Sequence, residues 1–263
     1  MRSRFSIPGL ALLLASLLMP AAMAQRSPSG DRQLLLVIQY VVQPSKAAEF
    51  EAVAKDAVKQ LAQQKSSAGG FLCTRSNEVV YTYILPVSKI ADARTEFDAL
   101  TAAGQALGSQ WAERAKDAIE YVNAYLVVAR PDLSYQPANP RLSPGEIRSM
   151  HFDFHYLNFG GRSTAEKAAK EYADLHKKAN CDTGFTVYEV IGGAELPIMI
   201  VASNAKSVAD HYAQTEKVLG QMGAEVASLA KKRDSVVRRI EQIDAMILPE
   251  LSYQPPTSAV GAN

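Results

Sequence analysis

Residues 133–137 read Leu-Ser-Tyr-Gln-Pro, and residues 251–255 read the same five again. The match extends backwards, with Arg130-Pro-Asp before the first copy and Leu248-Pro-Glu before the second. A strand-like apolar run precedes each, over 122–129 and 240–247. Further back, Gly70-Phe71-Leu72 answers Gly184-Phe185-Thr186. A self-match spanning most of a chain is the mark of an internal duplication. The spacing predicts two units, 31–140 and 147–256, each ending in a Pro-rich tail, with a disordered C-terminus over 257–263.

Each unit shows the same order of elements. In the first, 34–42 is a strand, and a helix over 45–64 places Phe50, Val53, Ala54, Ala57, Val58 and Leu61 on one face. Gly69-Gly70 stops it. Residues 71–75 and 79–85 form a hairpin in which Tyr81 and Tyr83 pack the sheet. A helical stretch over 88–121, carrying Phe97, Leu100, Leu107 and Trp111, breaks near Gly104 or Gly108, and 122–129 closes the unit. In the second, 150–157 is a strand, and Ser163-Thr-Ala-Glu166 has the form of a capping box opening a helix toward Lys178. Residues 185–191 and 197–202 form the hairpin, with Gly192-Gly193 as its turn. Residues 207–237 are helical with a break near Gly220 or Gly223, and 240–247 closes.

The order β-α-β-β-α-β defines the ferredoxin-like unit, whose antiparallel sheet has helices on one face and needs cover on the other. A second copy in the same chain supplies that cover. In this element order the chain resembles the dimeric α+β-barrel superfamily, which includes the antibiotic-biosynthesis-monooxygenase-like proteins and the haem-degrading enzymes. The resemblance implies an α+β fold: two tandem ferredoxin-like repeats with their sheets facing each other as a pseudo-dimeric α+β barrel. It carries no functional residue with it. The repeated pentapeptide then has a structural role. Pro131, Pro137 and Pro140 in one tail, and Pro249, Pro255 and Pro256 in the other, favour extended chain. Each tail is expected to cross and latch onto the opposite half. The functional alternative puts Tyr135 and Tyr253 at cavity mouths as ligand contacts.

Arg2 and Arg4, an apolar run over 10–19 and Ala22-Met23-Ala24 have the form of a cleavable signal peptide over 1–24. They predict an exported, soluble, periplasmic or secreted chain with no membrane span once cleaved. A net charge of +1 with no basic block argues against nucleic acid as a partner. A pseudo-dimer contained within one chain makes a monomer sufficient. Cys73 and Cys181 occupy non-equivalent places in the two units, and buried unbonded thiols are the expectation.

The sequence does not identify a substrate or a cofactor. No G-x-S-x-G, Walker, Rossmann or CxxC pattern occurs. All four histidines lie in the second unit; His176 and His211 sit on predicted helices and are expected at the surface. The unusual stretch is 151–156, His-Phe-Asp-Phe-His-Tyr. As a strand it alternates Phe152, Phe154 and Tyr156 with His151, Asp153 and His155. With the aromatics beneath the helices, His151, Asp153 and His155 would face the space between the sheets, and Val37, Gln39 and Val41 are the matching positions of the first unit. Asp153 beside an imidazole is a candidate acid–base pair, with Gln39, Tyr135 and Tyr253 as candidate ligand contacts. A zinc site is disfavoured, because His151 and His155 would stand about 13 Å apart along a strand. The two functional readings are a pocket protein without turnover and a cofactor-independent or haem-linked monooxygenase-like oxidoreductase. Buried polar residues satisfied by the opposite half remain the bland alternative.

Overall fold

The computed structural model describes residues 32–63, 70–95, 98 and 109–255. The predicted signal peptide, residues 257–263 and the side chains of Phe97, Leu100, Leu107 and Trp111 lie outside them. The first half runs β1 (Leu34–Val42), α1 (Ala47–Gln63), β2 (Leu72–Ser76), β3 (Val80–Val87), α2 (Ser109–Ala118) and β4 (Ile119–Ala129). The second runs β5 (Ser149–Leu157), α3 (Arg162–Lys178), β6 (Phe185–Gly192), β7 (Ile198–Ala205), α4 (Val208–Met222), α5 (Glu225–Asp234) and β8 (Val237–Ile247).

The eight strands close into one barrel in the order β1-β3-β2-β8-β5-β7-β6-β4. Read from β4, the first half contributes β4-β1-β3-β2 and the second β8-β5-β7-β6. Every pairing is antiparallel. The halves meet at two short seams. β2 pairs β8 through Thr74–Ile247, Arg75–Met246 and Ser76–Ala245, and β4 pairs β6 from Leu126–Gly192 to Ala129–Tyr188. A register shift falls between Val41 and Val42 against β4, and another between Tyr156 and Leu157 against β8. These two bulges fix which residues of the halves are equivalent: Val41 answers Tyr156.

Helices cover the outside. On α1 the predicted apolar face is buried through Phe50, Val53, Ala54 and Leu61, against Ile38, Cys73, Tyr81 and Tyr83 on the outer face of the strands. β3 alternates inside and outside along its length, as a period of two requires. Some boundaries differ from the sequence reading. β4 starts at Ile119, directly after α2, because its first residues pair with Val42 and Val41 of β1. The helix predicted to break near Gly220 or Gly223 ends at Met222, and its N-cap is Ser207, whose Oγ accepts from the Asp210 N–H at 3.1 Å. The expected capping box at Ser163 is absent. The N-cap is Gly161, two residues earlier, and Glu166 instead accepts from Arg130 (2.7 Å) and Arg162 (3.1 Å).

The repeated tails are reciprocal latches. Tyr135 bridges Phe185 of the second half, and Tyr253 bridges Phe71 of the first. Four of the five residues of the pentapeptide have matching partners in the two tails. Leu133 and Leu251 are buried. The Ser134 hydroxyl accepts from the Val187 N–H (2.9 Å) and donates to the Arg130 carbonyl (2.7 Å). Ser252 does the same with Cys73 (2.9 Å) and Leu248 (2.8 Å). Tyr135 donates its hydroxyl to the Cys181 carbonyl at 2.8 Å, and Tyr253 to that of Leu61 at 3.4 Å. The Pro follows against a glycine. A Cβ on Gly184 would lie 2.8 Å from Pro137 Cδ and 2.8 Å from the Tyr135 carbonyl; on Gly70 it would lie 3.1 Å from Pro255 Cδ and 3.2 Å from the Tyr253 carbonyl. Both glycines are there because backbone passes backbone closely.

One tail adds a charge network. Arg130 is 5 % exposed. Its guanidinium pairs with Asp132 (2.9 and 2.7 Å), Glu166 (2.7 Å) and Glu189 (3.1 Å), tying the first tail to α3 and β6. The equivalent Leu248 packs on the apolar cluster beneath α1.

Candidate functional site in the barrel interior

The barrel encloses a void of about 180 Å³, lined by inward-facing residues of all eight strands. Cross-strand registers resolve the lining into rows. In the first half, Asn123 of β4 lies opposite Gln39 of β1, Gln39 opposite Thr82 of β3, and Thr82 opposite Thr74 of β2. Four polar side chains thus form one continuous row across the wall. Apolar rows bound it: Tyr125, Val37 and Ile84 on one side, Tyr121, Val41 and Val80 on the other. The equivalent row of the second half is Glu241, Phe154, Ile200 and Tyr188. The interior therefore sets a polar wall from one half against a mostly apolar wall from the other. The halves share a fold but not a lining.

The polar row is incompletely satisfied. Thr74 is fully buried, and its Oγ1 has no hydrogen-bond partner. At the mouth stand Glu78 and Glu241, and Glu241 accepts from the Tyr156 hydroxyl at 3.0 Å. Arg239 stacks on the Tyr156 ring at 3.7 Å, on the same face of β8 as Glu241. No Lys, Arg or His appears among the described lining residues. Burial raises the pKa of Tyr125, helped by Tyr156 and Glu241, and burial also raises that of Tyr188, so both phenols are neutral at physiological pH.

Of the residues singled out from sequence, Gln39 lies in this row and lines the void. The expected faces of β5 are reversed. Phe152 and Phe154 point into the barrel, while His151, Asp153 and His155 point outward, toward the helices. The cause is a single residue of register. The halves match as Val37 to Phe152 and Gln39 to Phe154, not as Val37 to His151, and a one-residue slip turns every side chain to the other face. Tyr135 and Tyr253 are latch residues and do not line the void.

The outward cluster is nevertheless organised. His151 Nδ1 lies 2.8 Å from Asp244 and Nε2 lies 3.4 Å from Asp153, so the expected His–Asp contact exists on the opposite face of the sheet. Gln242 donates to Asp153 at 2.7 Å, and the Tyr212 hydroxyl donates to Asp244 at 3.1 Å. The His211 ring stacks on His151, with centroids 4.0 Å apart. Burial would lower the His151 pKa, but its bonds to Asp153 and Asp244 outweigh that and raise it. In Asp153, burial is outweighed by His151 and Gln242, and the pKa falls. Burial and the adjacent His151 lower His211, and burial lowers His155. The result is a buried imidazole between two carboxylates, its pKa raised, stacked on an imidazole whose pKa is lowered. Two histidines expected at the surface are not there. His211 is part of this cluster, and His176 is buried against Tyr135, Tyr172 and Phe185.

Cys73 and Cys181 are free and buried in separate clusters, and burial raises both thiols. Among the described residues, no group of three or more His, Cys, Asp or Glu is placed to hold a metal ion. No helix among them is long and apolar enough to cross a membrane.

No family model matches the chain, and no curated protein matches it. Solved structures do. An anthrone oxidase-like protein superposes with a TM-score of 0.56 at 11 % identity, covering 83 % of this chain and 92 % of that one. A candidate monooxygenase from Lactobacillus acidophilus NCFM gives 0.53 at 6 %, covering 86 % and 97 %. A chlorite dismutase variant from Candidatus Nitrospira defluvii gives 0.52 at 9 %, covering 83 % and 92 %. The likeness is one of fold. The expected α+β architecture is the one observed. Sequence reasoning missed the row Asn123–Gln39–Thr82–Thr74. Its signal was present: once the halves are aligned on their bulges, Gln39, Thr82 and Thr74 answer the bulky Phe154, Ile200 and Tyr188.

Proposed function

We propose that this chain binds a small molecule inside its barrel. The observation that carries the reading is the asymmetric interior, a polar row facing an apolar wall across a void of about 180 Å³. A void kept only for packing would be dry and uniformly apolar. An apolar cavity of about 150 Å³ accommodates a benzene ring, whereas drug-sized ligands occupy about 300–1,000 Å³. The ligand is therefore close to one ring in size. A haem does not fit: the void is too small, and its described lining contains no histidine for the iron.

In this reading the barrel is two fused ferredoxin-like repeats, a pseudo-dimer within one chain that needs no second copy. The matched strand orders, bulges and latches support it. We also propose that the chain works outside the cytoplasm, on the strength of the signal-peptide pattern over 1–24. A second reading, a monooxygenase-like oxidoreductase, has one observation in its favour: His151 held between Asp244 and Asp153. That cluster lies outside the interior void and does not line it, so the binding role is the better supported.

The test is native mass spectrometry of freshly purified protein before and after solvent extraction. A retained species of roughly one-ring mass, lost on extraction, is expected. Chain mass alone, together with no response of interior methyl groups to ring-sized probes, would overturn the reading.

A further inference from the structure

Resting on that reading of the interior, we propose the class of its ligand: a one-ring molecule that carries a hydrogen-bond donor and no negative charge, held at its polar end by Thr74 and the row beside it. Four observations converge. The first is the Thr74 hydroxyl, buried on a residue that lines the void and without a partner among the described residues. Buried hydroxyls are almost always paired, and a group entering the void is the complement this one lacks. The second is the neighbouring amides and hydroxyl of Asn123, Gln39 and Thr82, which offer acceptors in the same row.

The third is charge. Glu78 and Glu241 are the only acidic or basic side chains in the described lining, and Arg239, two residues before Glu241 on the Tyr156 ring, is paired with Glu195 at 3.3 Å. An anion entering would meet like charge and lose hydration without compensation, while a cation or neutral donor would not. The apolar wall suits a ring. Phe152 and Phe154 stand with centroids 6.5 Å apart and planes tilted by 49°, and aromatic faces attract both ring edges and ammonium groups.

The fourth concerns the backbone beside Glu78. Val79 has φ of 60°, a left-handed conformation that a β-branched residue rarely adopts. It stands next to the carboxylate at the void's mouth. Strain of this kind concentrates at functional sites.

Three probes of similar size separate the possibilities: toluene, benzylamine and benzoate. Calorimetry gives affinities, and shifts of the Val37, Ile84 and Ile200 methyl groups report occupancy of the interior. Benzylamine should bind at least about tenfold tighter than benzoate. Thr74→Val should weaken benzylamine by about fivefold and leave toluene unchanged, since only the hydroxyl is lost. Glu241→Gln, a substitution at an exposed position, should tighten benzoate, and it keeps the test available should Thr74→Val fold poorly. Benzoate binding as tightly as benzylamine, or benzylamine indifferent to the loss of the Thr74 hydroxyl, would overturn the ligand class while leaving the interior a binding site. Interior methyls unmoved by toluene and benzylamine alike would remove the site itself, and this inference with it.

Discussion

Gly184→Ala should loosen one latch and measurably destabilise the chain. The added Cβ would lie 2.8 Å from Pro137 Cδ, 2.8 Å from the Tyr135 carbonyl and 3.0 Å from Gln136 Oε1. Two of these atoms belong to backbone or a proline ring and have no rotamer to escape into, so the tail must retreat by about half an ångström or more. That retreat acts directly on the bridge, in which the Tyr135 N–H donates to Phe185 at 3.1 Å and the Phe185 N–H donates to Tyr135 at 2.9 Å. Losing both bonds costs about 1 kcal/mol each, and the Gln136 contacts to the Phe185 carbonyl and Thr186 weaken with them. Against this stands the reduced entropy of the unfolded chain, about 0.4–1 kcal/mol in favour of alanine. The net expectation is a loss of about 1–2.5 kcal/mol. Urea unfolding measures it, with Gly145→Ala as control, because a Cβ there meets nothing within 4 Å. The control should be neutral or slightly stabilised. Equal midpoints for the two variants would refute the close-approach account of the repeat.

The histidines give a second set of outcomes. By NMR titration His151 should have the highest pKa of the four, above its ordinary value of about 6.5, with His155, His176 and His211 below it. The stability His151 contributes is full below about pH 6.5 and is lost as pH rises through its raised native pKa. The contribution of Asp153 has the opposite sense: it is present above about pH 3.9 and is lost as pH falls through a lowered native value. Asp153→Asn should therefore lower the His151 pKa, and an unchanged titration would show that the pair is not coupled. Native Cys73 and Cys181 should resist a thiol reagent until the chain unfolds, since both are buried and burial raises both thiols. Rapid labelling of the folded protein would contradict this. Arg130→Met should cost about 2–3 kcal/mol in denaturant unfolding, below the full penalty for a broken buried ion pair because Arg162 still reaches Glu166 and Glu189.

The α+β architecture was legible because the sequence matches itself and so supplies an alignment. In Leu-Ser-Tyr-Gln-Pro four residues meet the same demand twice: a buried Leu, a Ser bridging two backbone groups, a Tyr forming a strand bridge, and a Pro against Gly. The interior was harder to read. Alternation shows that Phe152 and His151 face opposite ways, but not which way is in, and both sides of this sheet are covered. The deciding information was the offset between the copies, which the loops blur and the bulges at Val41 and Tyr156 restore. Polarity misled as well. His151 and Asp153 can lie beneath helices because Asp244, Gln242 and His211 come from other elements to satisfy them. Those partners are distant in sequence and carry no local pattern. His176 shows the same limit, as a histidine near a helix end that tertiary packing buries.

The central claim is that the ligand site lies inside the barrel, and methyl-resolved NMR during a benzylamine titration tests it most directly. The account predicts saturable shifts at Val37, Ile84, Ile200 and Ile243, which line the void, with no change at Ile38, Val53 and Leu61 on the helix side of the first half's sheet. Saturable shifts confined to the helix-side methyls, with the interior set unmoved, would place binding between helices and sheet and contradict it.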